Sequence, residues 1–306
     1  MIEAQGMAKR FGALTAVDHV DFQVEAGEVV ALLGPNGAGK TTTVRMLGAI
    51  LAPTAGNARV AGYDVIEQAR QVRRHVGMLT ESPGLYSRMT GREYLDFFGD
   101  LRGLEAAERH QRIERLADRF RVLEALDRRL GGYSKGMAQK ITLMRTLLHD
   151  PAVLLLDEPT SAMDPESARL VRDMILQLRD GKRAIMICTH NLPEAEELAD
   201  RILIIRKGEI VANGSISDLK AQLLGSPVME VRFVKPSADG VGDLISDLAP
   251  VVANGETWVR YRTEEPERIN PAVVRLLTDS GISLLSMGEV PRSLESVYLR
   301  VVGKVS

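Results

Sequence analysis

The sequence reads as an α/β protein with a smaller α+β module at its C-terminal end, and three stretches carry that reading. Val29–Leu33 is an apolar, β-branched-rich run of the kind buried on both faces of a sheet. Directly after it stands Gly34-Pro35-Asn36-Gly37-Ala38-Gly39-Lys40-Thr41, and from Thr42 to Leu51 the residues Val44, Leu47 and Leu51 fall on one face of a helix. Far downstream, the apolar run Val153–Leu156 ends in two carboxylates, Asp157 and Glu158.

The glycine-rich stretch fits G-x-x-x-x-G-K-[ST], with a strand before it and a helix after it, the context that motif needs. Glycines let backbone N–H groups turn inward around a phosphate, and the helix N-terminus adds partial positive charge. In this pattern Lys40 reaches the outer phosphates and the Thr41 hydroxyl binds Mg²⁺, which implies a nucleoside triphosphate. An apolar strand ending in a carboxylate then places Asp157 beside that Mg²⁺. Glu158 is suited to orient and deprotonate a water attacking the terminal phosphate. The plainer alternative is that this acidic strand end caps the next turn.

Composition narrows the field. The 306 residues leave room for one large or two ordinary domains, and the 45% hydrophobic content suits a real core. A formal charge of −2 gives no overall basic field, so no nucleic-acid partner is expected. Cys188 is the single cysteine, which excludes an internal disulfide framework and a cysteine metal cluster. The start, MIEAQGMAKRF, lacks the apolar core of a signal peptide. No run approaches the ~18 apolar residues of a membrane span. Together these point to the cytoplasm.

Along the chain, Ala16-Val17 and then Val20, Phe22 and Val24 alternate as strands do, up to the turn Glu25–Glu28. Phe11 lies just upstream, where an aromatic can stack on a nucleotide base or sit in a core; on residue type alone the core is favoured. Pro53–Gly56 is a turn, followed by a short strand from Ala58 to Val60. From about 89 to 130, Ile113, Leu116, Phe120, Leu123, Leu126 and Leu130 recur at three- and four-residue steps among interleaved Arg and Glu, an amphipathic helical region with a solvated charged face. Gly131-Gly132-Tyr133-Ser134-Lys135-Gly136-Met137 breaks that pattern before a helix over about 137–149. A further helix is expected over 165–180, a buried strand over Ala184–Cys188 ending at Thr189-His190, and a hairpin across Arg206-Lys207-Gly208. Composition shifts near Leu224-Gly225-Ser226-Pro227. Beyond it lie two alternating strands, Val228–Val234 and Thr257–Arg262, two helices, near 240–248 and 270–280, and an apolar stripe of Val297, Leu299, Val301 and Val302, with no catalytic cluster.

Residues 1–220, in order, resemble the nucleotide-binding subunit of an ATP-binding-cassette (ABC) transporter. GPNGAGKT (34–41) is similar to the family's Walker A motif, and LLLDEPTSAMDP (154–165) to its Walker B motif running into the D-loop, Ser161–Asp164. Tyr133-Ser134-Lys135-Gly136-Met137 stands where the family carries its LSGGQ signature, and Thr189-His190 where it carries the switch histidine. Phe11 falls at the aromatic A-loop position, and the resemblance moves it from core to base stacking. Pro291–Leu299 looks like the closing motif of drug- and ion-exporter ATPases with a C-terminal extension, whose permease is a separate polypeptide.

The resemblance implies a P-loop NTPase cassette over 1–224, a mixed β-sheet core with a helical subdomain over about 82–150, plus an accessory α+β domain over 225–306. It implies ATP and Mg²⁺. Phe11, Val17, Asn36, Gly37, Ala38, Gly39, Lys40, Thr41 and Thr42 would bind nucleotide on one subunit, and Ser134 and Gly136 the γ-phosphate from the other. Thr41, Glu81 and Asp157 would hold Mg²⁺, and Glu158 and His190 would be catalytic. Two departures stand out: Glu81 where the family usually has Gln, and Lys135 and Met137 inside the signature. The implied assembly is a homodimer, or a heterodimer with a related ATPase, on an integral-membrane permease at the inner face of a bacterial plasma membrane. The rival reading is a non-transport cassette ATPase acting on translation or DNA-repair machinery. Such relatives join two cassettes or carry a long coiled coil, and this chain has one cassette and no sustained heptads.

Overall fold

The computed structural model describes residues 1–80, 84–161, 163–179, 181–236 and 240–303. Its elements begin with β1 (Ile2–Phe11), β2 (Leu14–Val24), β3 (Val29–Leu33), α1 (Lys40–Leu47), β4 (Ala55–Val60), β5 (Tyr63–Asp64), α2 (Ala69–His75) and β6 (Val76–Leu79). Three helices follow, α3 (Gly91–Leu101), α4 (Ala106–Arg119) and α5 (Lys135–Leu147). Next come β7 (Val153–Asp157), α6 (Pro165–Gln177), β8 (Ala184–Thr189), α7 (Leu192–Leu198), β9 (Arg201–Arg206) and β10 (Glu209–Gly214). The remainder is α8 (Ile216–Leu224), β11 (Val228–Phe233), α9 (Val241–Ser246), β12 (Val251–Gly255), β13 (Trp258–Arg262), α10 (Pro266–Asp279), β14 (Leu284–Glu289) and α11 (Leu294–Val302). Contacts divide the chain into Met1–Ile216 and Ser217–Ser306, so the break falls at the start of α8, one helix before the composition shift.

In the first unit a six-stranded sheet runs β10-β9-β3-β8-β7-β6. All neighbours are parallel except the edge hairpin β9–β10. Period-two alternation sends the side chains of the central strands into two separate cores. Val30, Leu32, Val153, Leu155, Met186 and Cys188 pack on one side, with Val44, Met46 and Leu47 of α1. Leu154, Leu156, Ile185 and Ile187 pack on the other, with Tyr94, Leu95, Ile113, Phe120 and Ile141 from the helical region. That two-sided burial is why these strands read as unbroken apolar runs in the sequence. The first core is closed by a second sheet, β2-β1-β4-β5, whose Ile2, Met7, Val20, Phe22 and Val60 are buried against it.

The helical region starts sharply because its chemistry is local. Thr90 caps α3 by accepting from Glu93 N–H, and the Glu93 carboxylate accepts from Thr90 N–H, a complete capping box. The interleaved charges mostly pair along its surface, as in Arg92 with Asp127 at 2.7 Å and Arg112 with Glu108 at 2.7 Å. They form the solvated face expected of them. Among the described residues no helix is long and apolar enough to cross a membrane.

The second unit has the order β-α-β-β-α-β from β11 to β14, with an all-antiparallel sheet ordered β12-β13-β11-β14. This is the split βαβ, ferredoxin-like arrangement. Val231, Phe233, Val259 and Tyr261 alternate inward onto Val241, Ile245, Val273 and Leu277. Four strands form where two were expected, because β12 and β14 are edge strands with only a weak inward pattern. The apolar stripe expected at Val297, Leu299, Val301 and Val302 does not form. These residues lie in helix α11, whose 3.6-residue period buries Leu294 and Val297 and leaves Leu299 at 60% exposure.

Candidate functional site

The parallel register brings three strand ends side by side: Leu33 stands opposite Thr189, and Asp157 opposite Cys188. Ligands of open α/β sheets bind at this carboxyl end. Here it opens into a cleft of about 560 Å³. One wall is the glycine loop and the start of α1, with Asn36, Gly37, Gly39, Lys40, Thr41 and Thr42. Asp157, Glu158, Ser161 and His190 form the floor and far side, and Phe11, Leu14 and Ala16 make an apolar lip.

The loop holds its shape through glycine. Gly37 and Gly39 have φ of +79° and +112°, and a Cβ on Gly39 would lie 2.5 Å from the Ala16 carbonyl oxygen. Val17 is fully buried beneath this point, with its Cγ2 3.2 Å from the same Cβ position, so it supports the loop from below and does not line the cleft. Ala38 is likewise buried and turned away, while Asn36 and Gly37 are exposed. Lys40 is only 7% exposed and donates to the Gly34 and Pro35 carbonyls at 2.6 and 3.2 Å. A buried ammonium held by neutral carbonyls at a helix N-terminus is an anion site in both charge and geometry.

Across the cleft, Thr41 Oγ1 donates to Asp157 Oδ2 at 2.8 Å, tying α1 to the end of β7. The next residue, Glu158, has φ +51°, a left-handed conformation that costs a non-glycine residue about 1–3 kcal/mol. Its backbone is fixed on both sides. Its N–H donates to Cys188 O at 2.8 Å, and its carbonyl accepts from Gln139 Nε2 at 3.3 Å. The resulting turn presents the carboxylate to His190, whose Nδ1 is hydrogen-bonded to Glu158 Oε1 at 2.6 Å and whose backbone N–H reaches the same oxygen at 3.1 Å. Behind them Glu194 is 2% exposed and accepts from the Thr160 and Thr189 hydroxyls, and burial pushes its carboxyl above the usual range.

Of the residues singled out from the sequence, Phe11, Asn36, Gly37, Gly39, Lys40, Thr41, Thr42, Asp157, Glu158 and His190 meet in this cleft. Phe11 is 48% exposed at its rim, with Lys9 Nζ 5.3 Å from the ring centre. Ser134 and Gly136 stand elsewhere, at the N-terminus of α5, where the exposed Ser134 caps the helix by accepting from Met137 N–H. Glu81 lies outside the described residues. Sequence reasoning passed over Leu14, Ala16, Gln139 and Glu194. The first two sit just past the Gly12-Ala13 turn, within reach of Phe11, which was the available signal.

A strand, a glycine loop that cages an anion and a helix, with a carboxylate on a neighbouring parallel strand, define a P-loop nucleotide-binding protein. The family model described as ABC transporter matches residues 17–161. The chain is 40% identical over 224 residues to the ABC transporter ATP-binding protein NatA of Bacillus subtilis, covering 72% of this chain and 91% of that protein. With the daunorubicin/doxorubicin resistance ATP-binding protein DrrA of Streptomyces peucetius it shares 35% identity, over 99% of this chain and 92% of the relative. For the Nod factor export ATP-binding protein I of Paraburkholderia xenovorans the figures are 36%, 99% and 97%. A solved ATP-binding subunit of an ABC transporter superposes with a TM-score of 0.69 at 29% identity, over 74% of this chain and 94% of that one. A dimeric cassette bound to ADP and phosphate gives 0.66 at 21% identity, over 71% and 99%, a likeness of fold. The chain belongs to the ABC transporter family, as an ATP-binding subunit with ATPase activity. The translation or repair reading is not favoured.

Because Gly39 combines positive φ with a backbone contact that leaves no room for a Cβ, Gly39→Ala should deform the loop. Strain of about 1–3 kcal/mol corresponds to roughly a 5-fold to 150-fold loss of ATP affinity. Titration with a fluorescent ATP analogue checks this, and unchanged affinity would contradict the loop geometry.

Proposed function

We propose that this chain is the motor subunit of an exporter, hydrolysing ATP between two cassettes to drive a separate integral-membrane permease. The observation that carries the reading is the Glu158 carboxylate, held in a left-handed turn next to the Thr41–Asp157 pair and bonded to His190. In this reading Lys40 leaves the Gly34 and Pro35 carbonyls for the outer phosphates, and the loop amides from Gly37 to Thr42 take the rest. Phe11 stacks on the adenine base at the apolar lip, with Val17 keeping the loop beneath it in shape.

Thr41 and Asp157 present a hydroxyl and a carboxylate side by side, the all-oxygen donors that Mg²⁺ prefers. Mg²⁺ keeps several waters and substrate phosphates among its ligands, so one or two protein oxygens suffice for it. Thr41, Asp157 and Glu81 are the residues assigned to it. When bound, Mg²⁺ neutralises charge on the phosphate oxygens. Glu158 takes the proton of the attacking water as general base, and His190 holds that carboxylate in place.

Ser134 and Gly136 lie outside the cleft of their own chain, on an exposed helix N-terminus suited to an anion. Their place in the mechanism is on the γ-phosphate held by a second subunit, in a homodimer or in a heterodimer with a related ATPase. ATP then joins the two cassettes, and its hydrolysis releases them. The named functions of two relatives, drug resistance and Nod factor export, support export as the direction. The chain acts at the inner face of a bacterial plasma membrane. Its cargo is chosen by the permease, and nucleic acid has no part in the cycle. Residues 217–306 form an accessory domain that regulates or braces the assembly.

Glu158→Gln is expected to keep ATP affinity while slowing turnover on the order of 10²-fold or more, because the water loses its base. ATP should then trap a dimer visible by size exclusion. Wild-type turnover with no ATP-dependent dimer would sink this assignment. Affinity purification of the full chain from detergent-solubilised host membranes should recover a polytopic membrane protein in stoichiometric amount. Recovery with ribosomes or repair factors instead would overturn the transport reading.

A further inference from the structure

Glu194 is the third residue of α7, and Asn191 caps that helix by accepting from Glu194 N–H at 3.2 Å. A glutamate here commonly turns back to the backbone N–H of the capping residue. In this chain that N–H is already committed, since Asn191 N–H donates to Thr189 Oγ1 at 3.0 Å. The Glu194 carboxylate turns inward instead. It accepts from Thr160 Oγ1 at 2.6 Å and from Thr189 Oγ1 at 2.8 Å.

Those two hydroxyls bracket the reactive carboxylate. Thr160 lies two residues after Glu158, on the turn that leaves β7, and Thr189 ends β8 immediately before His190. Thr189 Oγ1 also stands 3.4 Å from Glu158 Oε2, so this single hydroxyl spans both carboxylates. A buried carboxyl is costly even when satisfied, and an apolar side chain would fill the space at less expense. What this one gains is a tie between the two turns that carry Glu158 and His190.

We infer that Glu194 is a positioning residue for ATP hydrolysis, clamping the Glu158 turn to the His190 turn through Thr160 and Thr189. The inference rests on Glu158 being the general base. The tie matters because Glu158 is in a left-handed conformation and its carboxylate is oriented mainly by His190. Removing the clamp lets the two turns relax independently, and misplacement of a reacting group by about 1 Å costs up to roughly 10²-fold in rate. Nucleotide binding is spared, because Lys40, Thr41 and the loop amides are outside the clamp.

The test is a set of variants of the full chain, assayed for steady-state ATPase and for ATP affinity by calorimetry. Glu194→Gln keeps size and removes the charge that both threonines address. Its kcat should fall on the order of 10-fold to 10²-fold, with ATP affinity unchanged. Thr189→Val should show the same selective loss and Thr189→Ser should restore turnover, which keeps the test decisive if Glu194→Gln folds poorly. In a Glu158→Gln background, Glu194→Gln should cause no further loss, since its effect passes through Glu158. Equal loss in both backgrounds, or ATP affinity falling in step with kcat, would mark Glu194 as merely structural and overturn the inference. Slow Glu158→Gln beside fully active Glu194→Gln and Thr189→Val overturns it while leaving the base assignment standing. Wild-type turnover by Glu158→Gln removes the base assignment itself.

Discussion

The site depends on the hydrogen-bond register of three parallel strands. Pairing of β3 with β8 and of β8 with β7 sets Leu33 opposite Thr189 and Asp157 opposite Cys188, one residue apart, so the glycine loop, His190 and the acidic strand end emerge side by side. A one-residue slip in any of these pairings sends every side chain of that strand to the other core. Asp157 would then leave Thr41, and Glu158 would leave His190. Burial on both faces prevents the slip, because each strand has apolar side chains committed to both cores. The site is therefore held by the most buried part of the molecule, with Lys40 itself buried beside it and His190 exposed at its edge.

Much of this was legible in the sequence because local constraint and function coincide. Gly39 must be glycine to turn the loop, and that requirement makes the motif recognisable. Asp157 and Glu158 stand out because two carboxylates end an otherwise apolar strand. Glu194 was not legible for the opposite reason. It sits in Pro193-Glu194-Ala195-Glu196-Glu197, which reads as an acidic, solvated first turn of a helix. Its burial follows only from where α7 packs after β8. Gln139 was hidden in the same way, since nothing local tells that its amide reaches the carbonyls of Glu158 and Pro159.

The accessory unit was harder to read because its strands are short and half-covered. β11 and β13 carry clean alternation and were visible, whereas β12 and β14 bury little and hold their places through pairing with those two. The split βαβ order emerges only when all four strands are counted. In α11 apolar residues crowd on both sides of the helical stripe, so sequence alone suggested a stripe over Val297, Leu299, Val301 and Val302, where the helix buries Leu294 and Val297 and exposes Leu299.

Lys40 is the most direct witness of the account. It is buried, and its ammonium rests on two carbonyls of the loop it is meant to leave. A crystal structure of the chain with Mg²⁺ and a non-hydrolysable ATP analogue is the decisive measurement. The account expects the triphosphate over residues 37–42, Lys40 Nζ moved from the Gly34 and Pro35 carbonyls to the outer phosphates, and the base at Phe11. Nucleotide bound elsewhere, or Lys40 still on its two carbonyls beside a bound triphosphate, would contradict it.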